Sequence, residues 1–409
     1  MTRTWPEHMA SRFAKEQPRK LLALDGGGIR GVLTLEILAE IERQVKEATG
    51  TERLGDFFDY IGGTSTGSII AAGLAVGMSA QELLDFYERF GRQMFEKTAV
   101  LERLTSLFSS LYEDEPLARK LKEIFHDEGD RSKPADLTTK RLKSLLLVVT
   151  RNMTTDSPWP VTTNPFAKYN NLDRDDCNLR IPLWQLVRAS TAAPVFFPPE
   201  VVRLNPKKPD DIRVFVDGGV TPYNNPAFLL YRMATQPAYQ LNWKTGEQNL
   251  LLISVGTGAA PAATQATNRN VVGNLQNLPG ELMYGIQVDQ DINCRTFGRC
   301  VYGAEIDREI GNLVLPVETE EEAAARDHGR FFRYARYNAD ISQEGLLKLD
   351  AELDRRMLHE VERVGKIPSA AVQQMDAVDQ IGNLRKIGAA FAKTELEVKK
   401  HFGSFLTET

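Results

Sequence analysis

Short, mostly apolar runs recur along the chain at residues 21–24, 57–61, 142–150, 213–216 and 249–255, bounded by polar or glycine-rich turns. These read as strands: 21–24 as buried, 142–150 and 249–255 as parallel strands, and 213–216 as one of alternating character. Between them the apolar spacing turns helical. Leu35, Leu38, Ile41 and Val45 share one face of 32–48, with Gly50 as the predicted cap. Leu84, Phe86, Tyr87 and Phe90 give 81–95 a packing side, and Leu183, Trp184 and Val187 do the same for 181–192. Residues 117–125 predict a further helix, and 100–111 carry a dense apolar stretch that reads as core or as a lid. Leu346, Leu349, Leu353 and Met357 fall on one face, and 343–409 is predicted helical throughout. Loops are predicted at 151–178, broken by Pro158, Pro160 and Pro165, and at 259–277, which is small and polar. The alternation of basic and aromatic residues from Arg330 to Tyr337 predicts an edge strand with one wet face; an anion pocket built from Arg330, Arg333 and Arg336 is the sharper alternative. Strands alternating with helices make this an α/β chain.

Composition narrows the function more than the fold. A net charge of -5 argues against nucleic-acid binding driven by phosphate neutralisation. The three cysteines, Cys177, Cys294 and Cys300, form no C-x-x-C and no disulfide framework, which fits a reducing, cytoplasmic setting. No cluster of His and acidic residues has metal-ligand spacing, so no metal or cofactor is expected. Residues 1–20 lack an apolar signal core, and the longest apolar run, 69–78, is too short to span a bilayer. Work on lipid would then proceed from the membrane surface.

The chemistry sits in glycine-rich turns. Gly63-Thr64-Ser65-Thr66-Gly67 follows the second apolar run and precedes a small, apolar helix. A serine between such glycines can occupy a sharp strand-to-helix turn with its hydroxyl exposed, and a helix starting there aims its free N–H groups at it. Asp25-Gly26-Gly27-Gly28-Ile29-Arg30-Gly31 follows the first run. Gly26-x-Gly28-x-x-Gly31 matches the dinucleotide fingerprint in form, but the next strand leads into the serine turn and not to an acidic ribose ligand. The better reading is an oxyanion hole, with the amides of Gly27, Gly28 and Ile29 facing outward and Arg30 adding fixed positive charge. Asp217-Gly218-Gly219 ends the fourth run, where an aspartate either caps the turn or faces a site.

In this order and spacing the three motifs resemble the patatin-like phospholipase family, as do Ala192-Ala193-Pro194 to Pro199 and Asn224-Asn225-Pro226. The resemblance covers roughly 19–258. It implies a three-layer α/β patatin-like fold with a mostly parallel central sheet, and a lipid acyl hydrolase using a Ser–Asp dyad. By that resemblance Ser65 is the nucleophile, Asp217 the base, Gly63 and Gly67 the flanks of the nucleophile elbow, and Gly26, Gly27, Gly28, Ile29, Arg30 and Gly31 the oxyanion loop. Of the five histidines, His328 is the one candidate for a triad, and its charged surroundings favour a solvated role. The expected division is a catalytic domain at 19–340 and a C-terminal helical extension at 341–409, packed on it or forming a homo-oligomer interface. An extension of this kind resembles bacterial anti-phage effectors of the family, in which a cyclic dinucleotide switches on phospholipase activity at the inner membrane. The rival expectation is a nucleotide-binding sensor or scaffold on the same fold that hydrolyses nothing.

Overall fold

The computed structural model describes residues 4–14, 16–95, 116–194, 197–205, 207–208, 210–260, 271–306, 321 and 329–407. Among these residues nine strands form one sheet: β1 (Arg19–Leu24), β2 (Tyr60–Thr64), β3 (Leu145–Asn152), β4 (Ser157–Thr162), β5 (Glu200–Arg203), β6 (Ile212–Asp217), β7 (Leu250–Val255), β8 (Arg299–Tyr302) and β9 (Arg333–Tyr337). Their order is β5-β6-β3-β2-β1-β7-β9-β8, with β4 pairing β3 off that path. The stretch β3-β2-β1-β7-β9-β8 is parallel, and β4, β5 and β6 are antiparallel additions at one side. Every residue of β2 and β7 is buried. Successive side chains of a strand point to opposite faces, so both faces are covered, and the fold is a three-layer α/β sandwich with a mostly parallel central sheet.

The helices that matter for the site are α1 (Gly31–Thr49), α2 (Thr66–Ala75), α3 (Ala80–Phe95), α4 (Leu183–Ser190), α5 (Ala227–Thr235), α6 (Val271–Phe297), α7 (Gln343–Arg355) and α8 (Ile381–Glu395). Gly50 closes α1 at φ +76°, a left-handed cap that suits glycine. Helix α2 is buried along its whole length, as its small apolar sequence requires.

Four expectations need correction. Residues 157–162 form strand β4, although 151–178 reads as a loop; Pro158 and Pro160 are tolerated because β4 pairs only with β3 and needs few of its N–H groups. Helix α6 starts at Val271, inside the predicted 259–277 loop. β9 is not an edge strand, since β8 lies outside it, and Tyr334, Arg336 and Tyr337 are buried. The tail is not continuously helical: α7 ends at Arg355, Met357 takes φ +56°, and a mostly non-helical stretch, with a short helical turn at Ser369–Val372 after Pro368, leads to α8. The stretch at 100–111 and His328 lie outside the described residues.

The extension packs along α1. Gly388 sits where a side chain would meet the Leu33 carbonyl oxygen and the Glu36 side chain, and Leu384, Ile387 and Phe391 are buried. Arg385 bridges Glu36 at 2.6 Å and Glu88 at 2.5 Å, and Lys393 reaches Glu40 at 3.0 Å.

Candidate active site

Strand β1 ends at Leu24 and β2 at Thr64, adjacent and parallel, so the turns that follow both open at the same edge of the sheet. That edge, beyond the carboxyl ends of parallel strands, is where open α/β sheets place their sites. Ser65 is the residue between β2 and α2, with φ +53° and ψ -125°. A non-glycine residue held there is strained, and the surrounding contacts fix it. A Cβ on Gly63 would lie 2.0 Å from the Gly67 carbonyl oxygen. One on Gly67 would lie 2.3 Å from the Leu24 oxygen. Both positions therefore demand glycine for close approach. The Ser65 amide donates to Ser190 Oγ at 2.9 Å, which in turn donates to the Val149 carbonyl at 2.7 Å. Ser68 Oγ donates to the Ser65 carbonyl at 2.6 Å.

The Ser65 hydroxyl donates to Asp217 Oδ2 at 2.6 Å. Asp217 ends β6, opposite Thr150 of β3. Its other oxygen, Oδ1, accepts from the Gly219 amide at 2.6 Å. The capping role and the site-facing role are thus held by the same carboxylate, one oxygen each. Burial pushes the Asp217 carboxyl up to about 6, against the opposing pull of the Ser65 hydroxyl, the Gly219 amide and the Arg188 charge. A base poised just below neutral pH and bonded to a serine hydroxyl can accept its proton.

The glycine loop crosses directly over the serine. A Cβ on Gly26 would lie 2.4 Å from Asn224 Oδ1 and 3.1 Å from Ser65 Cβ. The Gly26 amide donates to the Asn224 carbonyl at 3.1 Å, and Thr257 Oγ1 donates to the Gly26 carbonyl at 3.2 Å. Gly28 takes φ +60°. Among the described residues no acceptor takes the amides of Gly27 and Gly28. The Ile29 amide differs from expectation: it donates to the carbonyl of Met375 at 2.8 Å. Among the described residues the Gly27 and Gly28 amides, and not that of Ile29, stay open, a pair of donors that could receive a negative oxygen. Gly31 lets α1 approach α2, since a Cβ there would meet Thr66 Oγ1 at 2.5 Å. Arg30 Nε donates weakly to the Gly27 carbonyl at 3.4 Å. Burial lowers the Arg30 pKa to about 10 while Asp25 raises it, so the guanidinium is charged at neutral pH.

Asp25 anchors the loop from below. It is fully buried and bound by Arg336 in a two-pronged pair, at 2.9 and 2.5 Å, with Ser254 Oγ accepting from the same guanidinium at 2.7 Å. Burial opposes the Arg336 charge, but the Asp25 carboxylate outweighs it and holds the pKa above its ordinary value. Arg333 donates to the carbonyls of His401 and Lys400, and Arg330 to that of Thr296. Among the described residues the three arginines thus reach different partners, Arg336 inward to Asp25 and the other two to backbone carbonyls. Sequence reasoning passed over Ser190, Thr257 and Met375. Ser190 and Met375 lie in unmarked surroundings, and Met375 contributes a backbone carbonyl that any residue has.

All three motifs fall within residues 22–231, which match the description "Patatin-like phospholipase". The chain belongs to that family. Among curated relatives of this patatin-like chain, the cGAMP-activated phospholipase of Vibrio cholerae is 34% identical over 219 residues, 51% of this chain and 56% of that protein. Patatin-T5 of Solanum tuberosum is 29% identical over 257 residues, 58% of this chain and 60% of its own length. The alignments thus span less than two thirds of either relative. Human GIVD cytosolic phospholipase A2, solved with methyl gamma-linolenyl fluorophosphonate, aligns with a TM-score of 0.39 and 10% identity over 95% of this chain and 60% of that one. A likeness that low adds nothing to the sheet order described above.

Proposed function

We propose that the chain is a lipid acyl hydrolase that cleaves phospholipid acyl esters with Ser65 as nucleophile and Asp217 as base. The observation that carries this reading is the 2.6 Å bond from the Ser65 hydroxyl to the buried Asp217 carboxylate, at a strained elbow beneath a loop with two open amides. Ser65 Oγ attacks the ester carbonyl while Asp217 takes its proton. The Gly27 and Gly28 amides receive the oxyanion, each such donor being worth roughly 10²–10³ in turnover. Protonated Asp217 passes its proton to the leaving alcohol, and then draws a proton from the water that resolves the acyl-enzyme. Arg30 supplies positive charge beside the loop, suited to a lipid phosphate.

No described helix is long and apolar enough to cross a membrane. On this reading the enzyme meets its phospholipid substrate at the membrane surface. The likeness to the cGAMP-activated phospholipase of Vibrio cholerae supports a cyclic dinucleotide as activator of this chain too. The experiment is fatty-acid release from mixed phospholipid vesicles, with and without cGAMP and other cyclic dinucleotides, alongside fluorophosphonate labelling of Ser65. Release that needs one nucleotide supports a gated membrane-degrading enzyme, and release without any removes the activator from the reading. Failure of Ser65 to label in every condition would leave a silent scaffold.

A further inference from the structure

The oxyanion loop is held at two ends by different means. Its first half is fixed from the sheet side, Asp25 by Arg336 and Gly26 by Asn224 and Thr257. Its second half, Gly28 and Ile29, is held from the C-terminal extension. The Met375 carbonyl accepts from the Ile29 amide at 2.8 Å. The same carbonyl oxygen lies 2.2 Å from where a Gly28 Cβ would stand, so the segment between α7 and α8 that carries Met375, here called the strap, touches the loop only because residue 28 is glycine.

The strap is itself tethered on both sides. Val372 and Ala377 are buried, and Ser369 Oγ donates to the Ile341 carbonyl at 2.8 Å. Downstream, Ile381 opens α8, whose Arg385 grips Glu36 of α1 and Glu88 of α3. Helix α1 is the helix that begins where the oxyanion loop ends. Loop, α1, α8 and strap therefore close a ring, and Met375 is its last link.

We infer that Met375 is a positioning residue: its backbone carbonyl holds the Ile29 amide, and with it the Gly27 and Gly28 amides, in the orientation that receives the oxyanion. This rests on the hydrolase reading above. Two observations favour support over blockade. The Ser65–Asp217 bond is formed, and among the described residues nothing accepts from the Gly27 and Gly28 amides. A strap that plugged the site would take the open Gly27 and Gly28 amides, whereas this one takes the Ile29 amide beyond them.

The test uses the full chain carrying Gln374→Gly and Met375→Gly, which frees the strap while leaving α8 in place. Hydrolysis of a short-chain p-nitrophenyl ester, peptide-level hydrogen exchange across residues 25–31 and thermal unfolding are measured together. The expected result is a fall in kcat of about tenfold to a hundredfold, the scale set by a misplaced catalytic group, with KM changed less than about twofold. Exchange at the loop speeds up, and the acid limb of the pH profile stays where Asp217 sets it. A rise in kcat would mean the strap is a plug and overturn the inference. So would an unchanged kcat with a deprotected loop, or a loop whose exchange does not change. If the double variant fails to fold, Arg385→Ala loosens the strap from its anchor and should lower kcat in the same direction by a smaller factor. Failure of the hydrolase reading itself is distinguishable: the native chain would then neither label with a fluorophosphonate nor turn over, while the exchange arm would still report the Met375–Ile29 bond.

Discussion

Asp217 carries the sharpest residue-level consequences. Its carboxyl is pushed up to about 6 by burial, so the group is easier to keep protonated in the fold than in the unfolded chain. A carboxyl shifted this way contributes stability that is fully present below its unfolded value and lost as pH rises through about 6. Ionised Asp217 should therefore cost the fold about 3 kcal/mol at neutral pH. Asp217→Asn is expected to abolish hydrolysis yet raise the denaturation midpoint at pH 8, with no gain at pH 3; equal effects at both would show that the charge is not the cause. Hydrolysis by the native enzyme should fall along a one-proton limb below pH about 6. Gly67→Ala is a harder lesion, because its Cβ would press on the Leu24 and Asp25 oxygens at 2.3 and 2.7 Å. Activity should drop at least about a hundredfold, the cost of an ångström-scale displacement of the serine, measured as kcat/KM on a short ester. Ser65 and Asp217 were legible in the sequence because their glycine neighbours mark turns that few other residues can make. Ser190, which orients the Ser65 amide from another helix, had no such marker.

At the scale of elements, β9 shows how a local pattern can mislead. Its basic-aromatic alternation suggested one wet face, but β8 covers its outer side and Arg336 points inward to Asp25. Charge on a strand reads as solvent exposure unless the partner is known, and here the partner is more than three hundred residues away in sequence. Removing one member strands the other. Arg336→Met should cost about 3–5 kcal/mol in urea unfolding, because a buried carboxylate loses its counter-charge. Adding Asp25→Asn to it should recover part of that loss; if the double variant is no more stable than the single one, the pair is not what holds the loop. The prolines of β4 and the start of α6 were likewise hidden. Proline marks loops well in general, yet an outer strand tolerates it where its N–H groups face no neighbour.

On the scale of the whole molecule, the parallel sheet and its helix layers followed from the strand-helix alternation, whereas the sheet order did not, since non-neighbouring strands must meet. The division at 340 is the boundary most in need of a test. Helix α8 lies against α1 with Leu384, Ile387 and Phe391 buried, so the extension covers apolar surface of the catalytic part. A chain ending at 340 is expected to be poorly soluble or to unfold at markedly lower temperature than the full chain, checked by soluble yield and thermal melting. A stable, active 19–340 fragment would show instead that the extension is dispensable.

The Met375 strap also sets a clock. Protein is made from the N-terminus, and early segments begin to fold while later ones are still being added. Ser65, the glycine loop and Asp217 are all synthesised before residue 375, so a nascent chain can assemble its dyad while its oxyanion loop still lacks the carbonyl that Ile29 binds. The hydrolysis proposed above would, on this arrangement, be withheld until residue 375 has joined the chain.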